Sequence, residues 1–326
     1  MISYIIRRIV YAVPTLIGVN VLIFALFFVV NSPDDMAITI LGEKNVTQQA
    51  IDNWKKENGY DQPLFFNIDE SGFSKLTATI FFQKTIRLFL FDFGKSDRDN
   101  TEIGDQVRMR MFPSLAIAVP TFLLGVLINI SISLIVAFYR ATYLDYWGLI
   151  LCVVSMSIST LFYIIGGQYL FSICLRLVPI SGYDTGIHMI KFIVLPVVIG
   201  VISGIGTGVR FYRTVFLEVI GNDYIRTARA KGLSELKVLF KHVLKNAMIP
   251  ILTGLVMTIP FLFYGSLLME AFFAIPGLGS YTLDAINSQD FAIVRAMVYL
   301  GAVLNIIGLL LTDISYTLVD PRVRLG

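Results

Sequence analysis

Charge is scarce in this sequence: only 15% of its 326 residues are Asp, Glu, Lys or Arg, where soluble domains carry about one quarter. Cysteine, histidine and tryptophan occur twice each. Cys152 and Cys174 both sit in apolar runs without metal-ligand spacing, which excludes a zinc site or a disulfide framework and leaves them as lipid- or core-facing fillers. His188 and His242 have no second ligand at a suitable spacing, so neither metal nor proton-relay chemistry is expected. No G-x-x-x-x-G-K-[ST] phosphate loop is present, so the chain does not bind ATP that way. No nucleophile–base arrangement stands out, and no enzyme activity or cofactor is expected of the chain itself. The net charge of +3 is too small to point to nucleic acid.

What is abundant is apolar surface. Hydrophobic residues make up 56% of the chain, and the mean hydropathy is +0.75. A bilayer core takes about 20 apolar residues in helical form. Six runs meet or approach that length: Ile9–Val30, Met111–Tyr139, Tyr146–Leu175, Phe192–Val209, Asn246–Met269 and Ala296–Thr312. The first is longer than a signal-peptide core and lacks a small-residue cleavage site after it, so it reads as a retained helix. The second and third are long enough to require tilt or projection past the bilayer. The expected fold is all-α, a polytopic membrane protein with six transmembrane helices. None of the six runs contains an acidic residue, which argues against an ion-coupled carrier.

Basic residues in short loops set the orientation. Arg7 and Arg8 precede the first run. Arg213, Arg226, Arg229, Lys231, Lys237, Lys241 and Lys245 follow the fourth, and Arg322 and Arg324 lie in the tail. With six spans all three regions fall on the cytoplasmic side, with both termini. Residues 271–291 contain Asp284 and Asp290 but no Lys or Arg, which suits the outer face. The expected division is 1–30, N-terminus and first span; 31–110, an extracytoplasmic loop; 111–317, a five-helix core with a cytoplasmic loop at 212–247; and 318–326, a cytoplasmic tail. Within the outer loop, Leu76–Phe91 is apolar but broken by Lys84 and Arg87, which predicts one helix lying on the membrane surface. Asn31–Asp35 and Asn58–Pro63 read as turns.

The segment Asn222–Pro250 reads NDYIRTARAKGLSELKVLFKHVLKNAMIP. Asn222 or Asp223 can cap a short basic helix that ends at a left-handed Gly232. Ser234 can cap a second helix, with Glu235 at its positive end. Leu236, Leu239, Phe240, Val243, Leu244 and Ala247 follow amphipathic spacing, opposite Lys237, Lys241 and Lys245. Two helices joined at a glycine would project a charged knob. Composition alone leaves a lipid-held basic helix about as plausible as a docking element.

The detailed string resembles the EAA loop of ABC-importer permeases, in the form found in the dipeptide/oligopeptide/nickel permease family. Tyr224–Gly232, YIRTARAKG, is close to that family's pattern. Arg226 and Thr227 replace the Glu and first Ala of the general motif, while Ala228 and Gly232 fit; these replacements are usual in the peptide-type branch. Tyr4-Ile-Ile-Arg-Arg-Ile-Val10, Pro14-Thr-Leu-Ile-Gly-Val19, Asp61-Gln-Pro63 and Val178-Pro-Ile-Ser-Gly-Tyr183 are similar to the family, as are Glu270–Gly279, Asp284-Ala-Ile, Asp313–Tyr316 and Asp320–Arg324. The departures are a longer first outer loop from Phe65 to Asp99 and Asn31–Asp35 in place of a Gly-Asp-Pro turn.

The resemblance implies a permease in a bacterial cytoplasmic (inner) membrane, forming half of a translocation pathway. It implies a second homologous permease (a heterodimer), two ABC ATPase subunits that hold ATP and Mg, and an extracytoplasmic solute-binding protein. It implies a peptide substrate, with nickel chelates or oligosaccharides as the alternative. The ATPase-coupling residues it marks are Asp223, Tyr224, Arg226, Thr227, Ala228, Arg229, Ala230, Lys231 and Gly232. Gly200, Gly204 and Gly208 recur four residues apart, which reads as close helix packing. Asn129, Ser131, Ser133, Ser155, Ser157, Ser159, Thr160, Gln168 and Ser203 are the polar candidates for lining a path. A secondary carrier and a structural scaffold are the competing classes, separated from an importer by whether transport in proteoliposomes needs an ATPase.

Overall fold

The computed structural model describes residues 2–42, 46–68, 70–72 and 74–319. Among them the regular structure is helical, with one isolated bridge between Lys95 and Glu102. Helix α1 is Ile2–Phe24, prolonged by a π turn, Ala25–Val30. Then come α2 (Pro33–Leu41), α3 (Gln48–Asn58), α4 (Ser74–Thr77) and α5 (Ile80–Lys84), with a 3-10 turn at Ile86–Leu90. The long α6 is Ile103–Phe138, followed by α7 (Tyr143–Ser157) and α8 (Thr160–Gly167), which continues as π turns over Gln168–Cys174. Next are α9 (Ile190–Ile220), α10 (Asp223–Ala230), α11 (Glu235–Val238) and α12 (Lys245–Thr258). Helices α13 (Leu267–Phe272), α14 (Leu278–Ser288) and α15 (Phe291–Val319) complete the chain. The Asp320–Arg324 string and most of the 318–326 tail lie outside the described residues.

Among the described residues, five helical stretches are long and apolar enough to cross a membrane: Ile6–Val30, Ile103–Phe138, Gly186–Ile220, Glu235–Phe263 and Phe291–Ser315. A sixth exists if Tyr143–Ser157 and Thr160–Cys174, bent by 89°, form one broken span. The run Tyr146–Leu175 is therefore not the single tilted helix its length suggested. Ile158 and Ser159 are extended, and the Ser159 Oγ accepts from Leu161 N at 3.4 Å, which starts a new helix. The fifth run differs too. Its helix starts at Glu235, passes through a π turn at Leu239–Leu244 and stops at Phe263. Gly265, at φ +79°, separates it from α13.

The chain divides into two compact units. The first comprises Met1–Phe112 and Gly277–Ile307, so the 31–110 segment is grouped with α14 and the start of α15 instead of standing apart as a loop. Its core joins Phe24, Phe28, Met36, Ala37, Ile51, Trp54, Tyr60 and Ile80. Asn31–Asp35 is a helix start, not a simple turn. Ser32 Oγ accepts from Asp35 N at 3.2 Å while Asp35 accepts from Ser32 N at 3.1 Å, a capping box. Leu76–Phe91 is not one surface helix. It breaks into α4, α5 and the 3-10 turn because Thr79 is extended and caps α5, its Oγ1 accepting from Phe82 N. Ile80 and Leu88 are then buried in the unit's core.

The second unit comprises Pro113–Pro276 and Gly308–Gly326. One of its clusters joins Leu134, Ala137, Tyr212, Phe216, Val219, Ile225, Ala228, Val238, Leu239, Val243, Ala247 and Ile251. Another is built on Ile117, Ile164, Leu195, Ile199, Met269 and Phe273. Glycines set how closely its helices approach. A Cβ on Gly200 would lie 2.7 Å from Thr121 Cγ2, and one on Gly206 2.6 Å from the carbonyl oxygen of Cys152. A Cβ on Gly208 would collide with the Asn129 amide. Gly204 meets nothing within 4 Å, so along α9 the closely packed glycines are Gly200, Gly206 and Gly208. Cys152 is buried and Cys174 exposed.

Candidate coupling site

Helix α10 is short because both ends are specified. Asn222 is its extended N-cap residue and Asp223 lies in the first turn, where a carboxylate complements the helix dipole. At the other end Gly232 takes φ +75°. Gly232 N donates to Arg229 O at 2.9 Å and Leu233 N to Ala228 O at 3.4 Å. This pair of bonds is a Schellman cap, whose left-handed residue is cheapest as glycine. Ser234, extended at ψ 146°, then starts α11.

The two faces of α10 differ sharply. Ile225 and Ala228 are buried in the cluster that also holds Phe216, Val238 and Val243. Asp223, Tyr224, Arg226, Thr227, Arg229, Ala230, Lys231 and Gly232 are exposed. Of the nine residues marked by the motif, eight thus form an outward face and Ala228 anchors it. The face is braced internally. Arg229 Nε and Nη2 donate to the two Glu235 oxygens at 2.9 and 3.2 Å, a bidentate clamp from α10 to α11 across the glycine. Arg226 lies 3.4 Å from Asp223 on the same helix. Arg229 therefore has an intramolecular partner and is not simply a free cation for another protein.

The second helix departs from its expected stripe. Val238, Leu239, Val243, Ala247 and Ile251 face the cluster. Leu236 and Phe240 face outward, 62% and 58% exposed. The π turn at Leu239–Leu244 adds a residue and shifts the helix face from Leu239 onward, so Val243, Ala247 and Ile251 recur every four residues against the cluster. Arg213 also moves from its expected place in the loop. It lies within α9 and pairs with Asp145 at the start of α7. Arg213 Nε and Nη2 donate at 2.8 and 2.9 Å, and Ala141 N donates to Asp145 Oδ2 at 3.0 Å.

A cavity of about 390 Å³ opens in the same unit. Its polar lining is Ser114, Thr121, Thr160, Ser203, Thr258, Ser266 and Glu270. Only Thr160 and Ser203 were among the sequence candidates. Ser131, Ser133 and Ser157 instead donate to their own helix backbones. Gln168 donates to Ile180 O and Phe272 O, both at 3.0 Å. A signal was present for the missed residues: Ser114, Ile117, Ala118 and Thr121 follow i, i+3, i+4, i+7 spacing and share a face of α6. Glu270 is buried and accepts from Ser266 N at 3.0 Å, capping α13. No cluster of three metal-ligating side chains occurs among the described residues.

Comparison with known proteins places this architecture. Residues 129–325 match the binding-protein-dependent transport system inner membrane component family, and residues 1–117 match the N-terminal part of such membrane components. The chain is 31% identical over 328 residues to the dipeptide transport system permease protein of Bacillus subtilis, covering 100% of this chain and 99% of the relative. It is also 31% identical to a putative peptide transport system permease protein of Brucella abortus over 329 residues, 99% of each chain. The glutathione transport system permease protein of Salmonella typhimurium is 31% identical over 324 residues, again 99% of each. The chain belongs to the binding-protein-dependent transport system inner membrane components, as an ABC-importer permease of the dipeptide/oligopeptide/nickel type.

Proposed function

We propose that this permease forms half of the translocation pathway for peptides and that α10 is the element through which ATPase subunits drive it. The observation that carries the coupling role is the two-faced α10. An outward face of Asp223, Tyr224, Arg226, Thr227, Ala230 and Lys231 rides on buried Ile225 and Ala228. A helix fixed by its buried face, its Schellman cap and the Arg229–Glu235 clamp transmits a push, and its cations can pair with acidic groups of a soluble partner. The peptide substrate is supported by the names of relatives that match over the full chain. A second, homologous permease completes the pathway as a heterodimer, with two ATPases inside and a solute-binding protein outside. The broken pair α7–α8 counts as one span, giving six, with both termini in the cytoplasm. ATP-driven closure then rocks the helices between inward- and outward-facing states.

The test uses Arg226→Glu with Lys231→Glu, which reverses exposed charge and leaves the Arg229–Glu235 clamp intact. Co-purification of ATPase subunits with the tagged permease and ATP-dependent dipeptide uptake in proteoliposomes are measured. Both are expected to fall at least tenfold. Unchanged co-purification and uptake would remove the coupling role, and uptake that needs no ATPase would remove the importer reading itself.

A further inference from the structure

The first compact unit contains a polar centre that neither the coupling helix nor the cavity accounts for. Tyr60 Oη donates to Asp97 Oδ1 at 2.8 Å, and Ala292 N donates to Asp97 Oδ2 at 3.1 Å. Ser96 Oγ donates to Asp290 Oδ2 at 2.5 Å, and Ile293 N and Asp97 N donate to Asp290 Oδ1 at 3.2 and 3.4 Å. Both buried carboxylates thus have their oxygens occupied by hydroxyl and backbone donors. The cations beside them are less well served. Arg295 is 3% exposed, and its Nε and Nη1 have no hydrogen-bond partner. Its guanidinium lies 5.1 Å from the Phe28 ring centroid, and Lys84 Nζ lies 4.7 Å from that of Tyr60. Among the described residues neither Lys84 nor Arg295 has an ion-pair partner within 4 Å.

These two cations line one small cavity together with Arg87, Lys95, Gln83, Asp92 and the Phe93–Gly94 backbone stretch. Four cations thus line the cavity with one carboxylate, Asp92, whose contact with Arg87 is long at 3.9 Å, while buried Asp97 offsets part of the charge of Arg295 and Lys84 from behind. Lys95 reaches Glu102 at 3.6 Å, on the exposed side. Burial, then repulsion from Arg295, pushes the Lys84 ammonium down to about 8. The cavity measures about 90 Å³. By the same measure a single water needs about 10–15 Å³, so the space takes one small oxyanion.

We propose that this cavity is an oxyanion-binding site, in which Arg295 supplies buried charge, half-buried Lys84 the wall, and exposed Arg87 and Lys95 the rim. A carboxylate or a tetrahedral oxyanion there would meet the four cations with charge-assisted contacts. Its occupant is either a free anion or an acidic side chain of a docked protein. On the proposed orientation the site faces outward, where the solute-binding protein docks; this second source rests on the importer reading, and the free-anion binding does not.

Trp54 is a built-in reporter, since it is buried and stacks on Tyr60 at 5.4 Å between ring centroids. The only other tryptophan, Trp147, is exposed on α7 and is replaced by Phe in the test protein. The full-length Trp147→Phe chain in phosphatidylcholine nanodiscs is titrated with sulfate and, separately, with glutarate, at constant ionic strength against chloride. A saturable change in Trp54 emission is expected with at least one, weakened at least tenfold in Lys84→Gln and in Arg87→Gln. No saturable change with either anion, or unaltered titrations in both variants, would overturn the proposal even with importer activity intact. Adding the solute-binding protein then identifies the source. Competitive loss of the anion response assigns the site to an acidic side chain of that partner, and an unaffected response assigns it to a free anion; both outcomes uphold the site.

Discussion

The ion pair between Asp145 and Arg213 makes a demanding test of how the second unit is held together. The side chains are 7% and 15% exposed. The pair is bidentate, with a backbone donor from Ala141 filling a further acceptor position. Asp145→Ala would leave a guanidinium in a nearly dry site with no counter-charge. Removing one partner of a buried pair costs about 3–5 kcal/mol; the 15% exposure of Arg213 allows partial escape toward solvent, so about 3 kcal/mol is expected here. Asp145→Asn keeps the volume and an acceptor but loses the charge, and should fall between wild type and Asp145→Ala. The combination Asp145→Leu with Arg213→Met removes both charges at similar volume, which is often neutral or stabilising by about 1–4 kcal/mol. The assay is reversible unfolding in mixed micelles of increasing SDS fraction, read as a double-mutant cycle. If Asp145→Ala costs less than about 1 kcal/mol, or if the double variant loses the sum of the single losses, the pair is not the buried unit described here.

Other variants probe other elements. Gly206→Ala should weaken the fold by about 1–3 kcal/mol, because its Cβ meets the Cys152 backbone oxygen, which cannot swing away; Gly204→Ala, facing open space, should be neutral or stabilise by up to about 1 kcal/mol. The same SDS assay compares the two, and equal effects would contradict the helix approach. Gly232→Ala should cost about 1–2 kcal/mol from the left-handed backbone alone and lower the helicity of α10, read by hydrogen exchange at Leu233 and Gly232 amides. Lys84 carries a proton penalty in the folded state: unfolded it stays charged to about 10.5, folded only to about 8. Between those values the unfolded chain binds more protons, so stability should rise with pH there and the gain should be lost as pH falls through 8. Lys84→Met should raise the melting temperature at pH 7 and flatten that rise, with Asp92, Asp97, Arg87, Lys95 and Arg295 unchanged around it.

Much of the fold was legible in the distribution of charge. The apolar runs mark where spanning helices lie, because polar side chains have no place to hide in hydrocarbon. Helix ends were less legible. Lys237, Lys241 and Lys245 split an apolar run, yet the helix from Glu235 to Phe263 continues through them because they lie on its exposed side. The 89° break between Ser157 and Thr160 sits inside a charge-free stretch, and only Ser159 as a possible cap hinted at it. In the coupling segment, Gly232 and Ser234 announced the turn through backbone chemistry. The Arg229–Glu235 clamp was not announced, since a pair six residues apart across a break matches no helical spacing. The buried centre around Asp97 and Asp290 was illegible for a plainer reason. Its members are about 200 positions apart, and Asp290 alone reads as an ordinary loop acid.

The unbroken run from Glu235 to Phe263 gives the permease a lever arm. At about 1.5 Å per residue, 29 residues make a rod roughly 43 Å long. Pivoting by about 10° at Leu239–Leu244, the roughly 30 Å arm from there to Phe263 moves its far end by roughly 5 Å, about one helical turn. On the proposed coupling role, a partner acting on α10 reaches that rod through the Arg229–Glu235 clamp, with the π turn at Leu239–Leu244 as its fulcrum. Motion would then be amplified by length, so a small displacement at the outward face becomes a wide one beside the Thr258 and Ser266 wall of the cavity.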